Sequence, residues 1–210
     1  MPAVAAQELN SPAGLGKPPF PPDGRIGFRV VRKDTEIGHH LLSLTQVADG
    51  FDIRIAVEMV VHFGPIPVFR YKLDGLEQWR GGQMVHAEAT TNDDGTPNRM
   101  RADRDKGGLW VEGSKAARYL APPGALLATH WNSAELEAPW VNPQNGELLR
   151  PVVTPLGTEP VSIGGGRTVM SRAYDLSGDA RLRLWYGQDR QWTALLFTAD
   201  DGSTVRYERS

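Results

Sequence analysis

The chain has 210 residues, with 23 basic against 25 acidic side chains, five histidines and no cysteine. That length can bury a sizeable core in one domain. The near-neutral balance supplies no field to hold a polyanion, so nucleic acid is not an expected partner, and the absent thiols exclude disulfides and thiolate metal sites. No apolar run of ~18 residues is present, so nothing reads as a transmembrane helix.

Residues 1–23 are rich in proline and glycine, ending in Pro18-Pro19-Phe20-Pro21-Pro22. Proline fixes φ and removes backbone donors, so this stretch reads as an extended leader. Within it, Ala3-Val4-Ala5-Ala6-Gln7 matches the small-residue end of a secretory signal. The expected location is therefore periplasmic or secreted, with the signal peptide removed.

A single domain is expected over 24–210, and period-two alternation dominates it. Gly24–Val31 and Leu41–Val47 read as strands, followed by an Asp49-Gly50 turn. In Phe51–Val61 the residues Phe51, Ile53, Ile55, Val57, Met59 and Val61 fall on one face, against Asp52, Arg54, Ala56 and Glu58 on the other. Such alternation is incompatible with a helix. Val68–Leu73 follows, and Leu76–Arg80 with Gln83–Thr91 is read as one strand bent at Gly81-Gly82. Asn92-Asp93-Asp94-Gly95 turns the chain into Arg99–Arg104, paired with Leu109–Glu112.

From 116 to 145 the pattern breaks into an irregular insertion, in which Ala125–Leu136 has room for a short helical turn. Structureless stretches of this length inside a domain are often functional, for example as lids. Strands resume at Leu148–Thr154, Thr168–Leu176, Arg181–Tyr186, Gln191–Thr198 and Thr204–Glu208. The fold class is all-β: an antiparallel meander forming a strongly curved sheet or open lipocalin-like barrel.

Several strings occur together in a suggestive order: Ile37-Gly38-His39-His40, Phe69-Arg70-Tyr71, Glu77-Gln78-Trp79-Arg80-Gly81-Gly82, Thr129-His130-Trp131-Asn132 and Leu184-Trp185-Tyr186. Their order and spacing resemble a family of uncharacterised exported proteobacterial proteins, over most of residues 24–208. The resemblance implies a β-rich, periplasmic domain without an established activity.

Nucleophile elbows, phosphate loops and metal-ligand spacings are absent from the sequence, so no cofactor or metal is expected. Asp93-Asp94 and Asp200-Asp201 precede glycines and lack the alternating oxygens of a calcium loop. Six tryptophans are many for this length, and an indole suits either a cavity wall or plain core.

The expected partner is a small hydrophobic or amphipathic molecule held between the strands. Tyr71, Trp79, Trp131, Asn132 and Trp185 are the expected contacts, with His40, Glu77 and His130 as polar handles. The alternative is a cofactor-independent hydrolase, lyase or isomerase, in which His40 and His130 exchange protons and Glu77 orients one of them. A third reading is an envelope structural or interaction protein, which needs an exposed apolar patch or an unpaired strand edge.

Overall fold

A computed structural model describes residues 18–210; the Ala3–Gln7 string lies outside them. Eight antiparallel strands come first: β1 (Arg25–Arg32), β2 (Thr35–Val47), β3 (Gly50–Phe63), β4 (Ile66–Arg80), β5 (Gln83–Asp93), β6 (Thr96–Asp105), β7 (Gly108–Gly113) and β8 (Ala116–Leu120). An irregular crossing then contains β9 (Leu126–Leu127), a five-residue 3-10 helix (Ser133–Glu137), β10 (Trp140–Val141) and β11 (Leu148–Leu149). The chain finishes with β12 (Pro151–Ile163), β13 (Arg167–Gly178), β14 (Leu182–Gly187), β15 (Trp192–Thr198) and β16 (Thr204–Arg209).

The last strand returns to the first. β16 pairs antiparallel with β1, from Phe28 opposite Arg209 to Arg32 opposite Val205. The two meanders thereby fuse into one 13-stranded sheet whose end strands are β8 and β12. Those two edges are not paired with each other among the described residues, so the curved sheet is an open barrel. The crossing between β8 and β12 joins one edge to the other, and its residues Thr129, His130 and Trp131 pack against β3, β4, β14 and β15.

The alternation of Phe51–Val61 does what its period demands. Phe51, Ile53, Ile55, Val57 and Met59 are all buried, while Arg54 and Glu58 are exposed. Facing them across the interior are Ile26, Phe28 and Val30 of β1, Leu184 and Tyr186 of β14, and Val205 and Tyr207 of β16. Side chains from both halves of the sheet therefore share one core. Curvature brings Tyr207 on β16 within 4.0 Å of the Met59 sulfur on β3.

Three sequence expectations change in detail. Gly81-Gly82 is a hairpin turn between β4 and β5, with φ of 56° and 76°. Both values lie in the left-handed region that a two-residue hairpin turn demands and glycine supplies without strain. Consequently Val68–Leu73 and Leu76–Arg80 belong to one long strand, β4. The insertion is shorter than expected, because Ala116–Leu120 is the edge strand β8, and its helical turn is confined to Ser133–Glu137. Finally, the leader is not wholly outside the fold, since Phe20 is buried with its ring centroid 5.9 Å from that of Trp131.

The crossing is fastened at several points. Lys115 donates its backbone N–H to the Asn145 carbonyl at 3.2 Å, and the Tyr119 hydroxyl donates to the Gly146 carbonyl at 2.9 Å. Here the backbones approach so closely that Gly113 has no room for a Cβ against Asn145. Within the crossing, the Trp140 indole N–H donates to the Glu135 carbonyl at 2.7 Å.

Candidate functional site

Above this crossing the barrel is hollow. A cavity of about 690 Å³ lies between β2–β5 on one side and β14–β16 on the other. Its walls include Ile55, Val57, Met59, Leu73, Leu195 and Val205, and the crossing contributes Ala128, Thr129 and His130. Charged groups collect at one end, where Arg32 pairs with Asp201 close to Asp200. This is the size and character of a small-molecule pocket: predominantly apolar, with few polar groups and a wet rim.

His40 is the polar group that stands out. It sits on β2, 6% exposed, and its Nε2 is buried without a protein hydrogen-bond partner. Aromatic rings surround it, with centroids of Trp192 at 5.2 Å, Tyr207 at 5.8 Å and Phe28 at 6.3 Å. Desolvation by burial pulls its pKa down to about 3, and the neighbouring His130 and His39 push the same way. At neutral pH the imidazole is therefore uncharged. One ring nitrogen is a donor and the other an acceptor, so it can address a hydroxyl, an amide or a carbonyl.

His130 reaches the same cavity from the crossing, and the Trp192 ring lies between the two histidines, 5.3 Å from His130 by centroids. Its backbone has a φ of 65°, unusual for a residue with a Cβ. Such a conformation persists only where its surroundings over-determine it. Glu135 does so here. One carboxylate oxygen lies 2.7 Å from His130 Nδ1, and the other accepts the His130 backbone N–H at 3.1 Å. The Tyr186 hydroxyl adds a third bond to Glu135 at 2.9 Å, and burial raises that phenol's pKa well above its usual value.

Glu77 anchors a second buried network, next to the first. Its carboxylate, 1% exposed, accepts from the Thr129 hydroxyl at 2.5 Å, the Trp79 indole at 2.9 Å and the Trp131 indole at 3.2 Å. Trp79 is two residues along the same strand, hence on the same face. Burial pushes the Glu77 carboxyl up, and the hydrogen bonds from Thr129, Trp79 and Trp131 oppose it. Its hydrogen bonds go to neither His40 nor His130, so the carboxylate that orients a histidine is Glu135.

The expected contact residues divide accordingly. His40, His130 and Tyr71 line the cavity. Trp79 and Trp131 instead form core with Phe51, at centroid distances of 5.4 to 5.9 Å. Asn132 caps the 3-10 helix by accepting the Ala134 N–H. Trp185 faces the other side of β14, where its indole donates to Glu159 of β12 at 2.6 Å. Sequence reasoning missed Glu135 and the cavity aromatic Tyr207. The first had a readable sign, because Asn132 and Glu135 have the spacing of a helix cap and its N3 partner.

The sequence profile of a domain of unknown function, DUF6134, matches residues 28–210. The chain belongs to this family. No curated protein sequence matches the chain. Among solved structures, it is similar to a β-barrel-like protein of another domain of unknown function, DUF1849, from Brucella abortus. The two share 10% identity at a TM-score of 0.60, covering 88% of this chain and 94% of that one. Likeness at that identity concerns the fold alone, and it agrees with the barrel-like architecture of this DUF6134 domain. Among the described residues no helix is long and apolar enough to cross a membrane, and no group of three or more His, Cys, Asp or Glu could hold a metal.

Proposed function

We propose that this DUF6134 domain binds a hydrophobic or amphipathic small molecule inside its barrel. The observation that carries the reading is the cavity of about 690 Å³, predominantly apolar, with the neutral His40 in its wall. His40 Nε2 has no protein hydrogen-bond partner, and a buried polar atom without one costs stability. A ligand with an apolar body fills the void, and one uncharged hydrogen-bonding group reaching the His40 ring removes that cost.

The chemistry of the wall narrows the ligand further. His40 is neutral and the Tyr71 and Tyr207 phenols are held protonated by burial, so these three groups offer dipoles rather than charges. A fixed charge on the ligand belongs beside the charged lining residues Arg32, Asp93, Asp200 and Asp201. The reading is tested by titrating the purified protein with N-phenylnaphthylamine, an uncharged apolar fluorophore. Saturable enhancement at one site, lost on filling the cavity with Val57→Phe, is the expected result. An unsaturable signal, or one indifferent to Val57→Phe, contradicts it.

A further inference from the structure

The β3–β4 hairpin is longer than its neighbours can support. Pairing of β2 with β3 stops at Gly38 opposite Met59, and pairing of β4 with β5 begins at Tyr71 opposite Asp93. Residues 60–70 therefore stand as a two-stranded ribbon beyond the sheet, with Val60 opposite Arg70 at its base and Phe63 opposite Ile66 at its end. From its base to its turn the ribbon rises three residues, or ~10 Å.

The end of this ribbon is apolar except for the exposed His62. Phe63 is 79% exposed, Ile66 61% and Val68 54%. No carboxylate occurs from Met59 to Leu73. Pro65 and Pro67 flank Ile66, and a proline has no N–H to strip of water. Arg70 follows at the base of the ribbon, where its backbone N–H donates to Asp94 of the β5–β6 turn at 3.2 Å, and its guanidinium makes no ion pair among the described residues. Val61, Val68 and Phe69 of the same ribbon also line the cavity.

Contiguous exposed apolar surface marks a contact site. Phe63 and Ile66 lie at the turn itself, exposed all round rather than on one flank, which suits entry into a soft apolar phase. An apolar end ~10 Å below an unpaired arginine matches the ~5–10 Å depth at which interfacial segments seat, with the cation at phosphate level. We propose that this hairpin end inserts shallowly into a lipid bilayer, Arg70 meeting lipid phosphate, and so holds the mouth of the cavity against the membrane. The second half of that statement rests on the ligand-binding reading; the insertion itself rests on the ribbon alone.

The test is co-flotation of the full chain with phosphatidylcholine vesicles, with and without phosphatidylglycerol, for wild type and for a variant combining Phe63→Ser and Ile66→Ser. Those two side chains are exposed and lie outside the cavity wall, so the variant is expected to fold and to retain N-phenylnaphthylamine binding in solution. Wild type is expected to float, the double variant to partition about tenfold more weakly or worse, and Arg70→Gln to lose the preference for phosphatidylglycerol. Wild type that stays in solution, or a double variant that floats equally, overturns the proposal. So does a wild-type dimer abolished by the double substitution, which makes the ribbon a protein contact. If neither protein binds the fluorophore but flotation still depends on the ribbon, the cavity reading fails and the insertion stands.

Discussion

The Thr129 hydroxyl donates to Glu77 Oε1 at 2.5 Å, joining the crossing to a barrel strand across 52 residues of sequence. Together with the indoles of Trp79 and Trp131, it makes Glu77 the point at which the cavity floor is fixed to the wall. Glu77→Ala leaves three buried donors unpaired, at an expected cost of about 3 kcal/mol or more. For a domain of this size that lowers Tm by roughly 10 °C. Thermal unfolding followed by near-UV circular dichroism of the tryptophans measures it, and Glu77→Gln should fall between the two.

Stability should rise with pH between about 3 and 6.5, because of His40. In that window the unfolded chain binds a proton that the folded protein excludes, so ν in the unfolded state exceeds ν in the native state and the slope is positive. The loss begins as pH falls through the unfolded value of 6.5 and grows until the folded value of about 3. Lowering pH from 7 to 5 should remove about 2 kcal/mol. Glu77 acts oppositely: its raised pKa gives stability that is present below 4.5 and lost as pH rises through the folded value. Urea titrations of wild type and His40→Leu across this range isolate the histidine, since the variant should lose its share of the slope.

His40→Leu should also separate stability from binding. Removing an unpartnered buried nitrogen is expected to stabilise the ligand-free protein by about 1 kcal/mol. The same change should weaken binding of a hydrogen-bonding ligand by about five- to tenfold, the worth of one neutral bond. A histidine with a purely structural role would instead be missed in the ligand-free state. Unfolding and binding measured on one preparation decide between these outcomes.

Much of the fold was legible in the sequence because β3 obeys one rule along its whole length. Its apolar residues alternate strictly, so burial of Phe51, Ile53, Ile55, Val57 and Met59 follows from the pleat. Gly81-Gly82 was ambiguous, since paired glycines serve a bulge and a hairpin turn equally well; the partner strand decides, and it is a tertiary fact. The site was less legible. His40 and His130 could be singled out by type, but their meeting around Trp192 depends on how far the sheet curls. The same curvature, together with the crossing, sends Trp79 and Trp131 into the core and leaves Tyr71 and Tyr207 at the cavity. Only Glu135 had a local sign, its spacing from Asn132.

The most direct test of the hollow barrel is native mass spectrometry of protein purified from its own host without denaturant. A bound small molecule, present on wild type and absent from Val57→Phe, is the predicted result. Wild type that emerges at its bare polypeptide mass, with the Val57→Phe variant folded at an unchanged Tm, would contradict ligand binding in the cavity.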